Sequence, residues 1–411
     1  MPDWPHEVPP TAGLELHWRD FIKRYDTSFT SAAAAFLGAD SLQLECSGTA
    51  ALIVALSTLK CRSARRKVII PAYTCPLVAI AIAHCGLEVS LCDLAPDSLD
   101  MDEDDLARLC GADTLAVIPT HLAGRLTDVA AAMRIARDVG AWIIEDAAQA
   151  FGGRRRNAAA GTEGDIGFFS LAVGKGLTTY EGGLLHVRDP DLRDDMRKTS
   201  AMMIGADMRK GLQRCAQLIG YALFYNPRGL HWLYGKPLRA ALQRGDVIAA
   251  VGDRFASTVP LHRMGGWRES VGHSALERLP DFLSQTRDRA LSRIKVLRGI
   301  PGIRVFGDRQ DDRGVWPNLV VLMPNETARD TVLDALWANG YGVGRLFCHA
   351  LPDYDYMQSV APKAAAPNAR AMARRTFTVS NSRWLTDEKM AVLRHTIADA
   401  IDHSVHLSSY G

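Results

Sequence analysis

A lysine adds to a carbonyl once its ammonium gives up a proton, and Lys175 stands where that is favoured. It closes the loop Ser170-Leu171-Ala172-Val173-Gly174-Lys175, made of small and Gly residues between two apolar runs. A loop lysine on its own is a solvated charge, so the rest of the chain has to decide the reading. Glu145-Asp146-Ala147-Ala148-Gln149 follows directly on the apolar run Trp142 to Ile144. An acid at a strand end is a helix N-cap or a surface charge, or it pairs with a pyridine nitrogen and keeps it protonated, because an adjacent opposite charge favours the ionised form by roughly one to three pKa units. Ser47-Gly48-Thr49-Ala50-Ala51-Leu52 is a small-residue turn opening a helix, either a plain N-cap or a seat for a phosphate on free N–H groups and the helix dipole. Together the three supply a phosphate cradle, a pyridinium partner and a Schiff-base amine, the set that pyridoxal 5'-phosphate (PLP) chemistry requires.

Elements able to bring them together are visible in the hydrophobic pattern. From Leu42 to Val187, short apolar runs (Val68 to Ile70, Val89 to Leu91, Leu115 to Ile118, Trp142 to Ile144, Ile166 to Phe169 and Leu184 to Val187) alternate with helix-period stretches. That alternation predicts an α/β unit with a mostly parallel sheet, whose ligands lie at the carboxyl ends of the strands. One helix carries Val129, Met133 and Ala136 on a single face and is stopped by Gly140. From about 190 to 260 the texture turns basic, aromatic and irregular, with Pro227, Gly229, Gly235 and Pro237 as punctuation, and reads as an insertion. A smaller α+β unit follows, with one long helix from Ala275 to Arg298, strands at Leu319 to Met323 and Phe377 to Ser380, a helix from Thr327 to Asn339-Gly340, and a last helix capped by Thr386. The expected division is an N-terminal arm at 1–30, a large domain at 31–260 and a small C-terminal domain at 261–411.

Composition narrows the partners. The 411 residues are 23% charged and 47% hydrophobic with a formal net charge of +2, which gives no electrostatic case for nucleic acid and points to a small-molecule substrate. Eight scattered cysteines without a C-x-x-C pair or a secretory leader fit reduced thiols in the cytoplasm, and no metal site is expected. No segment reaches the roughly 18 apolar residues of a membrane span.

The order Ser47-Gly48-Thr49-x-Ala51-Leu52, Pro71-Ala72-Tyr73-Thr74, His121-Leu122-x-Gly124, Glu145-Asp146-Ala147-Ala148-Gln149, Ser170-x(4)-Lys175 and Glu181-Gly182-Gly183 resembles the DegT/StrS-type sugar aminotransferases of PLP fold type I. The resemblance runs from Leu42 to Val187 and resumes more weakly from Arg263. It implies an aspartate aminotransferase-like fold with a seven-stranded large sheet, and a homodimer with shared active sites. It makes Lys175 the aldimine lysine and general base, Asp146 the pyridinium partner, Gln149 a contact beside the ring, and Ser47, Gly48, Thr49 and Ser170 the phosphate cup. Tyr73, His121, Glu181 and Arg263 fall at substrate positions, although His121 reads equally as a satisfied structural histidine. A dehydratase branch carries histidine at the position of Lys175, so the lysine argues for transamination. The reaction implied is transfer from glutamate to a nucleotide-linked 3- or 4-keto-deoxysugar in cell-surface polysaccharide or natural-product biosynthesis; the alternatives are a non-sugar or lipid-linked ketone, or a non-catalytic homologue.

Two positions depart from the family. Cys75 occupies the place of an aromatic residue that stacks on the cofactor, so stacking weakens or comes from elsewhere. In Leu261-His262-Arg263-Met264 the arginine is kept while Leu261 replaces an asparagine that approaches the partner's site. Residues 212–234 combine Leu218, Ile219, Tyr221, Phe224 and Trp232 with a basic fringe of Lys210, Arg214, Arg228 and Lys236, a composition that suits packing on the neighbouring subunit or the protein's own core, or peripheral contact at the inner membrane face.

Overall fold

The computed structural model describes residues 6–408. Its large sheet has seven strands, β1 (Gln43–Glu45), β2 (Lys67–Pro71), β3 (Glu88–Cys92), β4 (Thr114–Val117), β5 (Trp142–Asp146), β6 (Ile166–Ser170) and β7 (Gly183–Val187), in the order β1-β7-β6-β5-β4-β2-β3. The run β3-β2-β4-β5-β6 is parallel, and β7 and β1 close one edge antiparallel. Each apolar run of the sequence became one of these strands, because a sheet covered on both faces buries most positions of its strands. Val68 and Ile70 of β2 join the core under the helices Gly48–Arg62 and Pro76–His84, while Ile69 between them joins Val129, Ala132 and Ala136 on the opposite face. The Val129–Asp138 helix ends as its sequence predicts, with Gly140 at φ 64° and the Ala141 N–H returning to the Ala136 carbonyl.

A second, antiparallel sheet orders β8 (Arg304–Val305), β9 (Asn318–Leu322), β10 (Val343–Gly344) and β11 (Thr376–Ser380) as β8-β9-β11-β10. Ile294 and Leu297, Val332 and Leu336, and Leu393 and Ile397, from three helices, pack on it. Thr386 caps the last of these helices, its Oγ1 accepting from the Lys389 N–H at 3.3 Å.

Two expectations change. The stretch from Ala275 to Arg298 is two helices, Gly266–Leu276 and Leu279–Arg298, because Pro280 lacks an N–H and crowds the preceding turn, so it stands only in the first turn of a new helix. Residues 190–260 are helical rather than irregular, forming Pro190–Met203, Met208–Phe224, Pro227–Leu230, Lys236–Gln243 and Val247–Val251 with a π-turn at His231–Gly235. Four of these helices start from Asp189, Asp207, Asn226 or Asp246, whose side chains accept the backbone N–H three residues on. Pro190 and Pro227 stand at the first helical position, which needs no N–H, and Pro237 in the first turn of Lys236–Gln243.

Packing crosses the expected divisions. Leu238, Ala241 and Ala250 enter the core of the small sheet, and Val271 and Ala275 pack with Phe29, Ala33 and Phe169. Of the N-terminal arm, residues 1–5 lie outside the described residues. The remainder is held on the body: the Ala12 N–H donates to the Pro317 carbonyl at 2.7 Å, and the Leu14 N–H to the Gly176 carbonyl, beside Lys175, at 2.9 Å. Among the described residues no helix is long and apolar enough to cross a membrane.

One contact ties the sheet edge to the turn that opens the Gly48–Arg62 helix. A Cβ on Gly183 of β7 would lie 2.3 Å from the Ser47 carbonyl carbon and 2.6 Å from the Gly48 nitrogen, so only glycine fits. Gly183→Ala is therefore expected to cost about 1–3 kcal/mol of stability by overpacking, read by denaturant unfolding. Gly205→Ala, where a Cβ meets nothing within 4 Å, serves as the control. Equal stabilities of the two variants would show that the contact is relaxed at little cost.

Candidate active site

The carboxyl ends of β5 and β6, the start of the Gly48–Arg62 helix and the segments after β2 and β4 enclose a cavity of about 230 Å³. Gly48, Thr49, Cys75, Asp146, Gln149, Ser170 and Lys175 line it together, although the sequence spreads them over more than a hundred positions. Parallel strands whose ends share one edge produce this convergence. Ser47 lies outside the lining and caps the helix, its Oγ accepting from the Ala50 N–H at 3.0 Å. Lys175 sits between Gly174 (φ 86°) and Gly176 (φ 82°), left-handed positions that let the loop double back and hold the lysine at the cavity.

Asp146 is 4% exposed, has no ion pair among the described residues, and accepts the Ala148 N–H on Oδ1 at 3.0 Å. Burial pushes its carboxyl above the usual range, while the Ala148 N–H, the Lys175 ammonium and His121 pull the other way. Gln149 turns its Oε1 to the Ala123 N–H at 2.8 Å, which leaves the amide nitrogen to meet a ligand. Cys75 is a wall residue: burial pushes its thiol up to about 12, so it stays neutral and behaves as a small apolar group.

The four positions assigned to substrate do not line this cavity. His121 is 1% exposed; its Nε2 lies 3.0 Å from Glu145 Oε2 and its Nδ1 accepts the Thr127 N–H at 3.1 Å, which consumes both nitrogens. Glu145 also accepts the Gly161 N–H at 2.8 Å and the Gly164 N–H at 2.5 Å, and although its burial raises the carboxyl pKa, the His121 contact and these two donors hold it below the usual range. Tyr73 stands behind the wall, edge-on to Phe347 at 5.5 Å with its hydroxyl toward the Phe347 carbonyl. The Glu181 carboxylate is bound by Arg214, and its carbonyl by Arg268 at 2.5 Å. Arg263 lines a separate cleft of about 420 Å³ beside Glu45, Arg197 and Glu269.

Among the lining residues without an assigned role from the sequence, Thr74, Thr120, Phe255 and Phe347 bear on a ligand. The hydroxyls of Thr74 and Thr120 are buried at the cavity without a hydrogen-bond partner, an arrangement that costs about 1–3 kcal/mol each unless a ligand answers it. Thr120 stands two residues after the apolar run Leu115 to Ile118, close enough to fall under the strand-end rule. Phe255 and Phe347 come from distant segments that no local pattern connects to the site. Among the described residues no three His, Cys, Asp or Glu side chains are grouped to hold a metal ion.

The model of the DegT/DnrJ/EryC1/StrS aminotransferase family matches residues 15–223 and 260–398. The chain is 29% identical over 305 residues to the GDP-perosamine synthase of Caulobacter vibrioides, covering 71% of this chain and 79% of that protein. It is 25% identical over 393 residues to the dTDP-4-dehydro-2,3,6-trideoxy-D-glucose 4-aminotransferase of Saccharopolyspora spinosa, covering 92% and 89%. Among solved structures, the aminotransferase TlmJ of Streptoalloteichus hindustanus shares the fold with a TM-score of 0.70 at 21% identity, over 98% of this chain and 93% of that one. The architecture is that of PLP fold type I. Since the two matched segments span every strand of the large sheet and the loop of Lys175, the chain belongs to the DegT/DnrJ/EryC1/StrS aminotransferase family and is a PLP-dependent transaminase.

Proposed function

We propose that the protein transfers an amino group from glutamate to a nucleotide-linked 3- or 4-keto-deoxysugar, in the making of a cell-surface polysaccharide or a natural product. The observation that carries this reading is that Lys175 and the unpaired Asp146 carboxylate share one cavity with two unpartnered hydroxyls. For the acceptor, support comes from the relatives, one a GDP-perosamine synthase and the other acting on a dTDP-4-dehydro sugar.

The residues present fit PLP. A Cβ on Gly48 would meet the Ser170 Cβ at 3.1 Å, so the bare glycine keeps open a cradle in which Gly48, Thr49 and Ser170 would hold the phosphate at a helix start. When bound, PLP supplies the electron sink that lets a proton leave the donor's α-carbon. Asp146 would hold the proton of the ring nitrogen, a cation whose approach offsets the carboxylate's desolvation. Gln149 would donate its amide N–H beside the ring. Lys175 Nζ would bind the cofactor's carbonyl carbon and, once released, carry the proton between the two carbons that exchange the amine. The neutral Cys75 thiol and the aromatic wall would exclude water from that transfer.

Lys175→Ala is expected to abolish cofactor retention through dialysis and to lower transamination by roughly 10²–10⁴-fold, while Asp146→Asn keeps the cofactor and loses roughly 10²–10³-fold. Retained cofactor absorbance and activity in Lys175→Ala would overturn the assignment.

We also propose a homodimer in which the second copy completes each site, because Arg263 lies outside the cavity of its own chain. Mixing inactive Lys175→Ala and Arg263→Ala chains should then restore about a quarter of the wild-type activity, one intact site in each mixed pair. No recovery on mixing would argue that Arg263 acts elsewhere.

A location in the cytoplasm suits the eight free cysteines. Contact with the inner membrane face rests on the exposed residues of 212–234: Leu212, Leu223, Trp232 and Leu233 are each 60% exposed or more, Lys210 and Arg214 flank Leu212 in the sequence, and the Lys236 ammonium lies over the Trp232 ring. Co-flotation with anionic vesicles, lost in the Leu223→Ser/Trp232→Ser double variant, is the expected result. Failure of the wild type to float removes that contact.

A further inference from the structure

The family model skips residues 224–259, yet one residue of that stretch, Phe255, lines the active cavity. It is the single lining residue from outside the matched segments. The residues offered for the cofactor all lie within the match, so chemistry shared by the family does not depend on Phe255. What differs between members is the acceptor, and a residue added at the cavity acts on what differs. We therefore propose that Phe255 is a specificity-determining residue, part of an apolar wall that selects acceptor ketones presenting hydrogen or a methyl group to it over those presenting a hydroxyl. This inference rests on the transaminase reading above.

The wall is built to hold its position. The helix Val247–Val251 ends at Gly252 (φ 86°), and the next residue, Asp253, is 4% exposed. Its carboxylate accepts the Cys348 N–H at 2.7 Å and the Tyr354 hydroxyl at 2.6 Å, its carbonyl accepts the Tyr356 hydroxyl, and Cys348 Sγ lies 3.3 Å from the Val247 carbonyl. Asp253 thus fastens the chain two residues before Phe255 to the residue directly after Phe347, the other aromatic of the wall. Val247, Val251, Phe255 and Val259 also pack against the core of the large sheet. Leu77, Val78 and Cys75 belong to the same apolar cluster as the two aromatics and also line the cavity, and none of these side chains offers an acceptor hydroxyl more than a weak bond. A hydroxyl buried there without a partner loses its water without return, a cost on the order of a 10-fold to 100-fold loss in kcat/KM.

The test uses the full-length, cofactor-loaded enzyme and paired nucleotide-linked keto-sugars that differ by one hydroxyl. The readouts are cofactor loading by absorbance and the ratio of kcat/KM between the two members of a pair. Wild type should prefer the deoxy member. Phe255→Ser should reduce that preference at least about 10-fold, and Phe255→Leu, apolar but smaller, should largely keep it. Asp253 is a positioning residue: Asp253→Ala should erode the preference in the same direction, and Asp253→Asn, which still accepts, should restore it. An unchanged ratio in Phe255→Ser overturns the proposal, as does an equal fall in Phe255→Ser and Phe255→Leu. Failure of wild type to retain cofactor or to react with any amino donor overturns the transaminase reading instead, and is seen before any ratio is taken.

Discussion

A carboxylate taken out of water without a counter-charge is among the costlier things a fold can carry, and Asp146 is such a group. It stands at the end of a central parallel strand with one backbone donor on it. The fold tolerates this because β5 is clamped between β4 and β6 and cannot move the group toward solvent. The same clamping brings the loop of Lys175, the turn at Gly48 and the two threonine hydroxyls to the same edge. A site in which the protein leaves a buried charge and two hydroxyls unanswered is complementary to a ligand that carries a cation and acceptor atoms.

The neighbouring acid shows the opposite solution. Glu145 and Asp146 are consecutive on a strand, so their side chains leave on opposite faces. Glu145 meets His121, the Gly161 N–H and the Gly164 N–H and is held ionised within the protein. Its lowered pKa contributes stability that is present above the ordinary carboxylate range and is lost as pH falls through the folded value. Asp146 has its pKa raised and is left for the cavity. Two identical functional groups, one residue apart, serve fold and chemistry separately because the pleat sends them to different surroundings. His121 belongs to the first of these and not to the second.

What the sequence revealed follows the range of the interactions involved. Parallel strands bury most of their positions, so Val68 to Ile70 and Ile166 to Phe169 appear as apolar runs, and the residues that close such runs, Asp146 and Ser170, line the cavity. Glycines bracketing Lys175 were readable because they are local. The helices of 190–260 were not, since Pro190 and Pro227 resemble breaks until Asp189 and Asn226 are seen capping the turns they start. Pairings across the fold left no trace in any window: Asp253 with Tyr354, Glu181 with Arg214, Leu14 with Gly176. Tyr73 and Glu181, placed by family position alone, bond to distant residues of their own chain, Phe347 and Arg214.

The helices outside the matched segments matter because they are not a loose excursion. Leu238, Ala241 and Ala250 enter the core of the small sheet, while Val247, Val251 and Phe255 lean on the core of the large one. A segment anchored in two cores moves little, so the part of it that faces the cavity presents a fixed shape. Cys75, a short neutral thiol, and Phe255 both belong to the wall of the cavity. A thiol pushed up to about 12 stays protonated at neutral pH and adds no charge to that wall. The unanswered polar groups of the site are Asp146 and the two threonines, with Lys175 beside them in the lining, and the leucine, valine and phenylalanine side chains of the same cavity offer shape and apolar contact. Shape is the property that an insertion can alter without disturbing the charges on which the chemistry depends.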